Sequence, residues 1–166
     1  MKVVVMLTKV FFDQHPRAGE PTNFASLVKQ GLKVHTCRDN YQYWADKVAK
    51  LKEAGGTLSV RQWSGKPYRS PQEVVVEIPA SEVEVSELTM EHNFYPEPNR
   101  PHHECHHYRA MVDNKPIDMK ILAQNDGFSR VEDFTAFIQP LFTKYQKRVI
   151  RLAIIHFNEF RYSIYQ

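Results

Sequence analysis

Cysteine is scarce in this chain of 166 residues: only Cys37 and Cys105 are present, and they form no C-x-x-C pair. At most one disulfide is available, which argues against a stapled secreted scaffold and for a reducing, cytoplasmic setting. Glycine is scarce too, with six residues. No Gly-rich turn joins a strand to a helix, so dinucleotide-binding and phosphate-loop chemistry is disfavoured. No apolar run approaches the ~20 residues that a membrane span needs, and MKVVVMLTKV at the start lacks a small-residue cleavage site. A soluble protein without membrane partners is expected. Neither charge dominates: 22 Lys and Arg against 19 Asp and Glu leave +3, which permits nucleic acid without implying it. Internal repeats and low-complexity tracts are absent as well.

What is present describes one domain over 1–166, since 42% hydrophobic residues suffice at this length to bury a core. KVVVMLTKV predicts a strand over 2–10, and Phe24, Leu27 and Val28 a short helix ending at Gly31. KVHTCR then reads as extended, with Lys33, His35 and Cys37 on one side and Thr36 and Arg38 on the other. Asp39-Asn40 can cap a helix whose stripe is Tyr41, Trp44, Val48 and Leu51 and whose stop is Gly55-Gly56. TLSVRQW and QEVVVEI are strands around the loop SGKPYRSP, and Val–Glu alternation from Ser81 to Met90 predicts another. HNFYPEPNRPHH holds three prolines and is expected to be irregular, an insertion around 91–109. HECHHYRAMVDNKPIDM predicts a hairpin turning at Asp113 to Pro116, followed by a short helix that Asn125-Asp126-Gly127 ends. Ser129 and Glu132 have capping-box spacing ahead of the stripe Phe134, Phe137, Ile138 and Leu141, and KRVIRLAIIHF is a final strand. Strands in meander-like runs with few helices favour an α+β domain around a small barrel.

The most specific stretch is Gly31-x-Lys33-x-x-Thr36-x-Arg38. Gly31 allows a positive-φ helix end and close approach of a ligand; Lys33 is a compact charge, and Arg38 a rigid fork suited to phosphate or a base edge. The alternative is a pair of surface charges. The stretch resembles the ASCH domain motif, Gly-x-Lys-x-x-x-x-Arg, and the resemblance continues through HPRAGEPTNF, LSVRQWSGKPYRS, NDGFSRVEDFTAF and RLAIIHFNEFRY, touching most of the chain. It implies a PUA-like fold, a small β-barrel with flanking helices, and binding of RNA or a modified nucleoside. Some ASCH members are similar to amidohydrolases that remove an acyl group from the exocyclic nitrogen of cytidine; others look like ribonucleases or plain RNA binders. For the amidohydrolases the resemblance implies Thr36 as nucleophile, Lys33 as base and Asp126 as the carboxylate, here one methylene shorter than the family's usual Glu. Asp126 equally suits a turn residue in Asn-Asp-Gly.

Arg61, Trp63, Lys66, Tyr68 and Arg69 mix cations with aromatic faces in and beside one loop, suited to phosphate contact and base stacking, although such loops also serve solubility alone. In the cluster His102 to His107, His103, Cys105 and His107 would share a face if extended, but no standard zinc spacing is present, and a solvated, pH-sensitive loop is the expectation. No cofactor is called for. His15 and His35 are candidates for a pocket wall, and His156 for the core.

Overall fold

The computed structural model describes residues 1–162, leaving aside the side chains of 101–103. In chain order the elements are β1 (Lys2–Leu7), α1 (Phe24–Lys29), β2 (His35–Asp39), α2 (Tyr41–Glu53), β3 (Thr57–Trp63), β4 (Gln72–Pro79), β5 (Glu84–Glu97), β6 (Arg100–Val112), β7 (Lys115–Ile117), α3 (Met119–Asn125), α4 (Val131–Tyr145) and β8 (Val149–His156). The fold is α+β, with its strands in two sheets. One sheet runs β1-β3-β4, with β1 and β3 parallel; the other runs β2-β8-β5-β6-β7 and is antiparallel throughout. Among the described residues no helix is long and apolar enough to cross a membrane.

Each element follows a local pattern. β1 buries Val3, Val5 and Leu7 in strict alternation, and β8, flanked by β2 and β5, buries Leu152 through Ile155 completely, as a run apolar on both faces should. The Asn40 side chain accepts from the Tyr43 amide at 3.1 Å to cap α2, which buries Val48 and Leu51. α1 and α3 end alike: the Leu32 amide donates to the Leu27 carbonyl and the Phe128 amide to the Ala123 carbonyl, each at 2.9 Å, around the positive-φ residues Gly31 and Gly127. This six-residue closure needs a left-handed residue and satisfies carbonyls that a helix end leaves bare.

Four expectations are corrected. Strand β1 stops at Leu7 rather than residue 10, after which only an isolated bridge pairs Val10 with Pro21. The barrel is not closed: β1 and β2 are edge strands of different sheets, joined where the Arg38 guanidinium donates to the Met6 carbonyl, so a side chain stands where a ladder would have to run. The segment 91–109 is not irregular, because β5 and β6 pair from Leu88–Val112 to Glu97–Arg100, with Pro98-Asn99 as the tip. β8 reaches only to Glu91 of β5, so the outer part is a two-stranded ribbon in which a proline nitrogen can face the open edge at no cost in hydrogen bonds. Finally, Ser129 does not cap α4; the N-cap is Arg130, with no side-chain cap bond, and Glu132 lies 3.6 Å from the Arg130 guanidinium.

Candidate functional site

Two helix ends build the site. Past Gly31 the chain is pinned to α1, where the Lys33 amide donates to the Leu27 carbonyl at 3.1 Å, and to the end of α3, where the Val34 amide donates to the Asn125 carbonyl at 2.9 Å. Lys33 thus precedes β2 rather than belonging to it. The alternation that assigned it to the side of His35 and Cys37 does not govern it, and its side chain lines the same pocket as Thr36 and Arg38.

Lys33 is almost wholly buried, and its ammonium donates to both the Oδ1 and the backbone carbonyl of Asp126, 4.4 Å above the centre of the Phe24 ring. Burial lowers the Lys33 pKa, with the Asp126 charge pulling the other way. Asp126 also accepts from the Cys37 amide at 3.4 Å. The shorter acid therefore reaches its lysine. Gly127 makes room: a Cβ there would lie 3.1 Å from Lys33 Cδ and 3.2 Å from Phe24.

Thr36 is buried, and its hydroxyl oxygen accepts from the Arg38 guanidinium at 2.8 Å; Arg38 also donates to the Cys37 carbonyl and across to Met6. These four side chains converge on a narrow hollow of about 10 Å³, the space of a single water. Two wider spaces share its walls. Beyond Leu7 and Thr8 lies a hollow of about 170 Å³ walled by Trp63 and Tyr68, whose rings are 5.1 Å apart. Beyond Arg38 and Phe137 lies an apolar cleft of about 370 Å³ lined by Phe12, Cys37, Ile138 and Leu141.

The other expected residues divide. Tyr68, at 89% exposure and φ +62°, and Trp63 face the site's neighbouring hollow. Lys66 and Arg69 are exposed in the same loop, whereas Arg61 is spent on Ser59 and Gln72 along the sheet. Gly31 serves the helix end, with open space around it, and does not line the hollow. His15 stacks on Phe11 at 4.2 Å and hydrogen-bonds the Asp133 carbonyl, so it is no pocket wall. His156 lies in the core, paired with Ser86 at 3.1 Å.

The walls Phe24, Phe128 and Phe137, and Tyr162 and Asn125 behind Asp126, were not picked out as site residues, whereas His35, expected in a pocket wall, lies in the chain behind Asp126 and does not line the hollow. His35 Nε2 and the Tyr162 hydroxyl are 2.7 Å apart, and Asn125 donates to that hydroxyl at 3.2 Å. The only signal was the run Asn125-Asp126-Gly127 itself. Ligand atoms of His35, Cys37 and Asp126 lie within 4.8 Å of one another, the one such trio among the described residues, and His35 Nδ1 has no hydrogen-bond partner. Yet Lys33 already occupies Asp126, Arg38 adds a second cation, and burial pushes the Cys37 thiol well up, toward its protonated form. That electrostatic setting opposes a divalent ion. On the ribbon, His103 lies outside the described residues, Cys105 is exposed, and His106 and His107 pack on His92 and Tyr95. Compared with protein-family models, curated proteins and solved structures, the chain matches none.

Proposed function

We propose that the cleft around Lys33, Thr36 and Arg38 binds a nucleobase, carried by a free modified nucleoside or by RNA, as the ASCH-like motif implies. The observation that carries this reading is the adjacency of a small polar hollow and an aromatic one: Leu7 and Thr8 wall both the Lys33 hollow and the space bounded by Trp63 and Tyr68. A planar ring has aromatic faces to stack on, while Lys33, Thr36 and Arg38 supply donors to carbonyl or phosphate oxygens. The hollow has room for one water, so its walls must part for any larger group to reach Lys33.

A second reading, hydrolysis of an N4-acylated cytidine, is favoured by the Thr36–Arg38 bond. Because Arg38 donates to the Thr36 oxygen, the hydroxyl proton is left for another acceptor. Thr36 Oγ attacks the acyl carbon as its proton passes to Lys33, which must first give up a proton of the ammonium paired with Asp126, a loss that burial favours and the Asp126 charge opposes. The C–N bond breaks, Lys33 returns the proton to the departing amino group, and water hydrolyses the Thr36 ester to release the acid. Asp126 orients the lysine.

Calorimetric titration with cytidine and N4-acetylcytidine, with chromatography to score turnover, tests both. Binding that Tyr68→Ala and Arg38→Met each weaken about tenfold or more supports the first reading, and loss of turnover with retained binding in Thr36→Val supports the second. Absence of binding to either nucleoside and to short RNAs would overturn both.

A further inference from the structure

The histidine-rich ribbon takes no part in the cleft, yet it forms a groove of its own against the end of α4. His92 and Phe94 of β5 make one wall, Gln139, Phe142 and Thr143 of α4 with its C-cap Gln146 the other, and Lys147 and Arg148 the rim, around a space of about 310 Å³. The aromatic wall is braced from behind. The His92 ring stacks on Tyr108 at 4.4 Å with an interplanar angle of 6°, meets His106 through a 2.8 Å bond, and abuts Phe142 at 5.4 Å. Tyr108 in turn donates to the Gln139 side chain. Phe94 is 39% exposed, with the Arg148 guanidinium 5.0 Å from its ring centre.

Charge decides what such a groove accepts. No carboxylate lines it, and Lys147 and Arg148 are exposed with no carboxylate partner among the described residues, whereas neighbouring Lys144 is paired with Asp39 at 2.9 Å. The C-terminal end of the α4 dipole carries about half a negative charge, which two full cations outweigh. Rigid aromatic faces beside unpaired cations suit a ligand that offers flat rings and regularly spaced anions.

We propose that this groove is a second nucleic-acid contact, binding a single strand with bases on Phe94 and phosphates on Lys147 and Arg148. It is separate from the nucleobase cleft: it shares no lining residue with the Lys33 hollow or either adjoining space. A strand bound here can be of RNA or DNA, and the test carries an arm for each.

The test is fluorescence anisotropy of labelled 12-mers of uridine and of thymidine across a salt series, with the full chain. The double change Lys147→Glu and Arg148→Glu should weaken the oligomer at least tenfold and lower the slope of log affinity against log salt by about 1.4, two phosphates at ~0.7 each. Phe94→Leu, which keeps an apolar side chain, should cost severalfold, and neither variant should alter nucleoside binding in the cleft. RNA-only binding assigns the source to RNA, and equal binding to any single strand. The proposal falls if the wild type binds neither oligomer at low salt, if both variants bind within twofold of it, or if polyglutamate displaces the oligomer as well as unlabelled RNA does, which would mark an acidic protein as the partner. Loss of nucleoside binding with the oligomer result intact would overturn the cleft reading and leave this one standing.

Discussion

At the scale of single residues, two glycines do the same backbone work in different surroundings. Gly31 and Gly127 both take positive φ, 71° and 89°, at helix ends, but a Cβ at Gly31 would meet nothing within 4 Å, whereas one at Gly127 would press on Lys33 and Phe24. Gly31→Ala should therefore cost only the left-handed penalty, about 1 kcal/mol, and leave ligand binding as it was. Gly127→Ala adds a steric push on a lysine held by a buried carboxylate and should cost about 2–3 kcal/mol, together with nucleoside affinity. Urea denaturation of the two variants checks this; equal losses would mean that Lys33 yields freely. The motif spacing made Lys33, Thr36 and Arg38 legible as a group. The aromatic walls were not, because Phe24, Phe128 and Phe137 read as ordinary core until the two helix ends fold together.

Among elements, the hairpin was legible but its turn is tighter than the expected Asp113 to Pro116: Asp113 and Asn114 form it, both at positive φ, 49° and 66°, and Lys115 and Pro116 already pair in β7. Glycine fits the second position better than asparagine. Asn114→Gly should raise stability by about 0.5 kcal/mol, visible as a higher melting temperature; a drop would show that the Asn114 side chain contributes more than its backbone strain costs. The ribbon was misread for a physical reason. A proline forbids a central strand, but a strand with one open edge has every second amide facing solvent, and nothing in local sequence says how far β8 will extend alongside. The capping-box spacing misled in a similar way, since Glu132 meets Arg130 instead.

For the whole molecule, acid is the sharpest lever. His35 and His156 are fully buried with their rings 5.8 Å apart, and each has a bare Nδ1. Burial drives the His156 pKa down to about 3 and that of His35 well below the ordinary 6.5. Below about pH 6.5 the unfolded chain takes up protons that the folded one refuses, so stability should fall toward pH 3 by up to ~1.4 kcal/mol per pH unit for each histidine. Urea midpoints at pH 7, 6 and 5 should decline accordingly, and His156→Gln should flatten the trend. A midpoint unchanged from pH 7 to 5 would contradict it. Composition and periodicity made the α+β class legible; the separation into two sheets was not, since it depends on two edges distant in sequence, β1 and β2, which meet through one arginine rather than a ladder.

That arginine has a consequence of its own. The Arg38 fork is the seam between β2 and β1 and also the donor on Thr36, so a ligand that displaces the guanidinium also disturbs its bond to the Met6 carbonyl. Occupancy and sheet docking then meet in one side chain. By reciprocity, whatever wedges the sheets apart reshapes affinity, and whatever fills the cleft loosens or tightens the seam by the same factor.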